Sequence, residues 1–349
     1  MLQTTKDLIQ LFHSQDANTP DYQVVRAYVR FIERYGSVAD VEPLFDLYLE
    51  DPTDLRRQYL LEPIRIHGDD TMAEKMFQAC FEDGQLKEEM YGGIFHCLGY
   101  LGYEPVKPIL YQLLEQGGHA LGLDECLGLL HFSCEGYEEK IAQEIRNCLG
   151  KNLFPEFVPS LLCKVPDPAL IDEVYESGGY WASTDCNGGM VLGIALCGEK
   201  ERNRFKSILW DERWEAESSS TGTRTWAFVG MQHQQITFRE LFEDIKEAQK
   251  QGCSQRELKH RLYVLLSMLE MKIFYDYRPL KFGKSPDESY QDIYLSLFDW
   301  STPHKDDSII GWISDYIEDR DYIQREFYQL RDHLELKLEQ EVMWKYLRT

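Results

Sequence analysis

Turn signals recur along the first two hundred residues at a nearly constant interval. Gly36, Gly68, Gly102 and Gly136 are separated by 32, 34 and 34 residues, and steps of 31 lead on to Asp167, within Pro166-Asp167-Pro168, and to Gly198. Each signal lies between two apolar segments with helical spacing, so the repeating unit is predicted to be a helical hairpin. A period between about 20 and 50 residues marks a repeat architecture. One hairpin cannot bury its apolar face alone, so neighbours must stack.

Along the chain, Tyr22–Tyr35 places Val25, Val29 and Ile32 on one helical face, and Val41–Leu49 returns after Gly36-Ser37 with Pro43 early in the helix. Leu55–Ile66 and Met72–Phe81 repeat the plan around Gly68-Asp69-Asp70. After Trp210 the pattern breaks. Ser218-Ser219-Ser220-Thr221-Gly222-Thr223 reads as a polar loop, and Thr225–Val229 is aromatic and β-branched. Helices are expected again over Thr237–Lys250 and Gln255–Tyr275, then over Tyr290–Trp300, Ile309–Ile317 and Tyr322–Tyr346. The expected division is 1–214 helical repeats, 215–235 a polar insertion, and 236–349 a helical region that continues or caps the array.

The third unit reads Leu98-Gly99-Tyr100-Leu101-Gly102-Tyr103-Glu104-Pro105-Val106-Lys107-Pro108-Ile109-Leu110, followed by Leu113-Leu114. This segment resembles a HEAT-like repeat, in which a first helix ends in L-G-x-L-G and a short acidic or Pro-containing turn opens a second. Phe31–Leu49 and Leu192–Leu209 match more loosely, and the resemblance covers about Tyr22 to Leu209. It implies an all-α, right-handed HEAT-like solenoid of about six hairpins with a helical C-terminal region. Leu98, Leu101, Leu110, Leu113 and Leu114 are then expected to pack inward.

Composition narrows the chemistry. The formal charge of −23 speaks against nucleic-acid backbone as a partner and is compatible with a basic protein. Acidity that merely aids solubility is the plainer explanation. Nine cysteines without a CxxC pair read as reduced, mostly buried thiols. No signal peptide or membrane span is evident, so a cytoplasmic location is expected. Asp299, His304, Asp306 and Asp307 share one loop but fit no metal-ligand spacing, and His96-Cys97 and His131-x-x-Cys134 read as packing residues. Without a nucleophile elbow or a phosphate-binding glycine loop, no catalytic residue, metal or cofactor is expected.

The negative charge is concentrated. Asp40–Glu89 holds fourteen acidic and five basic residues, a net of −9, and Asp287–Asp321 holds ten and two, a net of −8. Solvated helix faces explain such runs, but one-signed runs also suit a basic partner. The candidate partner contacts are Asp69, Asp70, Glu88 and Glu89, with Asp315, Glu318 and Asp319 in the second run and Trp214 as an aromatic anchor. In architecture, size and acidity the chain is similar to the helical HEAT-like immunity proteins of bacterial contact-dependent growth inhibition, some of which pair with ribonuclease toxins. That similarity implies a non-catalytic module that occludes the active site of a basic toxin. Two other readings stay open: a HEAT-like scaffold or adaptor, and a chaperone-like protein resembling phycobilin lyases.

Overall fold

The computed structural model describes residues 1–14, 22–149, 157–179, 184–218, 222–272 and 278–281. These residues are all-α apart from one two-residue hairpin, and they fall into two compact units that meet in sequence at Cys134 and Glu135. Among them no helix is long and apolar enough to cross a membrane. Everything expected from residue 282 onward, including the second acidic run and its three helices, lies outside the described residues.

The first unit contains α1 (Gln3–His13), α2 (Tyr22–Tyr35), α3 (Val38–Glu50), α4 (Leu55–Gln58), α5 (Leu61–His67), α6 (Asp70–Cys80), α7 (Gly93–Leu101), α8 (Lys107–Gln116) and α9 (Leu123–Leu130). A hairpin of β1 (Phe81–Glu82) and β2 (Gln85–Leu86) follows α6. Its two-residue turn is Asp83-Gly84 with φ of 51° and 74°, the pairing of positive angles that a tight hairpin turn requires. The second unit contains α10 (Glu138–Cys148), a 310 segment (Val158–Lys164), α11 (Pro168–Ser177), α12 (Thr184–Leu196), α13 (Arg202–Trp210), α14 (Thr223–His233), α15 (Phe238–Lys250) and α16 (Gln255–Glu270).

The predicted reversal points fall between helices. Gly36 separates α2 from α3, Gly68 separates α5 from α6, and Gly102 closes α7 in the left-handed conformation with φ of 75°. Gly136, Pro166-Asp167 and Gly198 occupy the corresponding gaps further on. Local side chains start many of the helices that follow. Ser37 and Asp40 form a capping box on α3, the Asp69 carboxylate accepts from the Met72 N–H on α6, and Thr237 accepts from the Glu240 N–H on α15. The Ser37 box begins α3 three residues before the expected Val41, which leaves Pro43 inside the helix.

Leading helices pack on leading helices. In the first unit α2 touches α5, α5 touches α7, and α7 touches α9; in the second the 310 segment touches α12, which touches α14, which touches α16. Glycine makes the closest of these approaches possible. A Cβ built on Gly99 of α7 would lie 2.5 Å from the Cα of Gly128 on α9, and one on Gly193 of α12 would strike the Pro159 carbonyl oxygen. Beside this seam Leu98, Leu110 and Leu114 are fully buried as expected, whereas Leu101 and Leu113 are half-buried.

Residues 215–235 are corrected: α14 occupies Thr223–His233 where a polar insertion was expected. Most of this helix is buried, so its sequence lacks the polar face that would have marked it. Helix α1 is held on α3 through Asp40, which is 1% exposed. Its carboxylate accepts from the Leu2 N–H and the Thr5 hydroxyl, both at 2.6 Å, and from Ser37 at 3.1 Å. Burial opposes the charge, but the hydrogen bonds from Thr5, Leu2 and Ser37 outweigh it, and the pKa is lowered.

Two outcomes follow from this packing. Gly99→Ala is expected to destabilise by about 1–3 kcal/mol through overpacking against backbone, although alanine alone favours a helix by about 1 kcal/mol. Chemical denaturation that found the variant more stable would show that α7 and α9 are not in backbone contact. Asp40 contributes stability that is fully present above the unfolded aspartate pKa of about 3.9 and is lost as pH falls through its lower folded value. Asp40→Asn should therefore cost about 1–3 kcal/mol at pH 7 and distinctly less near pH 3, measured by urea unfolding at both pH values.

Candidate functional site

Of the contacts expected from sequence, Asp69, Asp70, Glu88 and Glu89 are all exposed. They do not form one patch. Asp69 and Asp70 stand at the start of α6, whereas the Lys87 N–H bonds to the Cys80 carbonyl and so puts Glu88 and Glu89 beyond its far end. At a rise of 1.5 Å per residue, the eleven residues of α6 separate the pairs by roughly 16 Å. Trp214 is fully buried and packs on Gly178 and Tyr175, so it is a core residue and not an exposed anchor. Asp315, Glu318 and Asp319 lie outside the described residues.

Exposure gives the acidic run a meaning that counting did not. Of the fourteen carboxylates between Asp40 and Glu89, eleven are exposed, and none of the five basic side chains is. Each cation is engaged within the first unit. Arg56 pairs with Asp54 at 2.5 Å, Arg57 with Glu50 at 2.9 Å, and Lys75 with Glu42 and Asp46 at 2.9 and 2.8 Å. Lys87 donates to the Ala79 carbonyl at 2.6 Å. Arg65, the fifth, is buried. Asp70, Glu82, Asp83, Glu88 and Glu89 form no ion pair among the described residues, so their field projects into solvent.

Arg65 belongs to a second constellation, built along the seam of leading helices. Its Nη1 lies 3.1 and 3.2 Å from the two ring nitrogens of His96, and its guanidinium sits 5.4 Å from the Tyr100 ring centroid. A nitrogen equidistant from both ring nitrogens would collide with the intervening carbon if it lay in the ring plane, so Nη1 lies out of the imidazole plane. His96 in turn stacks on His131 with centroids 6.5 Å apart, and Asp124 Oδ1 lies 3.9 Å from His96 Nδ1, beyond hydrogen-bond range. Burial, and then the neighbouring Glu62, hold the Glu33 carboxyl well above its ordinary value, while Arg65 and Arg30 pull it down. Burial also pushes Asp124 up to about 6, helped by Glu125 and opposed by a hydrogen bond from Tyr91 and the charge of Arg65.

The spacing holds a signal for this constellation. Glu33, Arg65, His96 and His131 recur at intervals of 32, 31 and 35 residues, one from each leading helix and its end. Sequence reasoning set His96 and His131 aside as packing residues and passed over Arg65, Glu33 and Asp124. Among the described residues no group of three or more His, Cys, Asp or Glu side chains is placed to hold a metal ion. The Cys97 thiol, next to His96, donates to the Leu61 carbonyl and is pushed by burial up to about 12, which keeps it protonated.

No protein family, curated protein or solved structure matches this chain.

The Asp124 shift has a measurable sign. A raised carboxyl contributes stability that is intact below the unfolded pKa of about 3.9 and is lost as pH rises through the folded value. Asp124→Asn removes that loss, so the variant should be more stable than the parent by about 1 kcal/mol at pH 8 and close to it at pH 4. Equal differences at both pH values in urea titrations would show that Asp124 ionises normally in the fold.

Proposed function

We propose that the chain is a HEAT-like helical-repeat protein that binds a basic protein partner stoichiometrically, without catalysis or a cofactor, in the manner of the immunity proteins of bacterial contact-dependent growth inhibition. The observation that carries this reading is the one-signed surface of residues 40–89, with eleven carboxylates exposed and every basic side chain engaged by neighbouring groups. A surface arranged only for solubility needs no such segregation, since interspersed charges of both signs serve as well. The stacking of leading helices within each unit supports the repeat reading, because each hairpin then finds its apolar partner in the next.

The mechanism is occlusion. A ribonuclease active site is basic because it binds phosphates, so an acidic protein surface competes for the same ground. Complementary charge speeds capture, and buried contacts slow release. A HEAT-like scaffold would use the same surface with several partners.

Co-expression with the product of the adjacent gene tests the reading. Growth should be restored when that product is toxic alone, and the purified complex should be 1:1 or a simple multiple. Association should slow steeply with salt, because screening acts over about 8 Å at physiological ionic strength. Replacing Asp69, Asp70, Glu88 and Glu89 with lysine should slow association more than it speeds dissociation. A non-toxic neighbour that forms no complex would move the assignment to the scaffold; association unchanged by the four replacements would remove the acidic surface as the cause.

A further inference from the structure

The leading helices of the first unit run parallel and in step, which brings their starts together along one edge. Tyr22, at the start of α2, meets Tyr59, just ahead of α5, edge-on with centroids 6.3 Å apart. A Cβ on Gly93, at the start of α7, would lie 3.2 Å from Leu61, at the start of α5. One on Gly92 would lie 3.6 Å from Asp124 Oδ2, at the start of α9. The opposite ends are neighbours too: His67 Nε2 at the end of α5 lies 2.9 Å from the Ile32 carbonyl near the end of α2.

Along the edge of starts, each step exposes a large apolar side chain. Tyr22, Leu55, Tyr91 and Leu123 are 41%, 58%, 37% and 41% exposed. At the opposite edge, among the described residues, only Tyr35 and Val38 are exposed in this way, both at one turn. The segments that lead into the starts, residues 51–60, 81–92 and 117–125, expose Asp51, Glu82, Asp83, Glu88 and Glu89 and no lysine or arginine. Scattered exposed apolar residues need no explanation, but a row repeated helix by helix beside one-signed charge does.

We propose that this edge is a docking strip for a basic amphipathic α-helix of the protein partner, laid across the starts of α2, α5, α7 and α9; the proposal rests on the partner-binding reading above. Its dimensions fit. Packed helix axes lie about 8–10 Å apart, and seven residues of helix advance about 10.5 Å. An apolar side chain at every seventh position of the incoming helix therefore meets each gap in turn, and crossing all four starts takes roughly 20 residues. Lysine or arginine on its flanks then faces Asp51 and the Glu82–Glu89 carboxylates. Charge supplies the attraction and the apolar spacing supplies the selectivity.

The test uses the full chain and two synthetic peptides of 22 residues, rich in lysine and glutamine and identical in composition. One carries leucine at every seventh position; in the other the leucines are scrambled. Fluorescence anisotropy should show the ordered peptide binding at least ten-fold more tightly. Leu55→Ser/Leu123→Ser, which alters two exposed side chains and leaves Tyr91 and its bond to Asp124 in place, should abolish that preference with an unchanged circular dichroism spectrum. Equal affinity for the two peptides, absence of binding by either, or a preference retained by the double variant would each overturn the strip. The partner-binding reading is judged separately by co-expression: a 1:1 complex whose affinity is unaffected by Leu55→Ser/Leu123→Ser would uphold that reading and reject the strip.

Discussion

Backbone comes against backbone where α7 crosses α9. Neither Gly99 nor Gly128 has a side chain to hold the helices apart, and a Cβ on either would enter the other helix. Gly193 plays the same part against the 310 segment of the second unit. Such approach costs helix propensity, about 1 kcal/mol for each glycine relative to alanine. What it secures is alignment. Helices this close cannot slide without collision, so their starts share one edge and their ends another. The cluster of Arg65, His96 and His131 depends on that alignment, as does the row from Tyr22 to Leu123.

The same closeness makes the seam a costly place for charge. Glu33 and Asp124 hold their protons above the ordinary range because burial comes first among the influences on each. Arg65 lies against the rings of His96 and Tyr100, and its charge lowers both carboxyl groups against the effect of burial. The surface of residues 40–89 follows the opposite rule. There eleven carboxylates are exposed and no lysine or arginine is. The two regions share helices but differ in dielectric, and equal formal charges consequently behave differently in each.

Sequence revealed the parts of the fold that local chemistry determines. Glycine at Gly102 and the Asp-Pro turn at Asp167 stop a chain wherever they occur, so the reversals were readable before any packing was known. Asp83-Gly84 carried an equally local signal for a hairpin and was overlooked. Helix α14 was hidden for a different reason: Trp226 through Gln232 are all buried, and a helix buried all round shows no periodic polar face. The candidate site divides in the same way. The surplus of carboxylates was countable, but their exposure depends on where Arg57, Lys75 and Lys87 find partners, and those partners are fixed by tertiary contacts. Arg65 was illegible singly because burial of a charge is a property of its neighbours; only its recurrence with Glu33, His96 and His131 left a trace.

The cysteines give the protein a set of internal reporters. Cys80, Cys97, Cys126 and Cys134 are buried in the first unit, and Cys148 and Cys186 in the second. Burial raises the thiols of Cys80 and Cys97 to about 12, so at neutral pH almost no thiolate is available to an alkylating reagent. Modification of these sites must wait for the surrounding helices to open. The labelling rate at each buried cysteine is thus a local clock for opening, with Cys97 timing the α5–α7 seam. The cooperativity of the fold, ordinarily inferred from whole-chain melting, is written here into the reactivity of individual sulfur atoms.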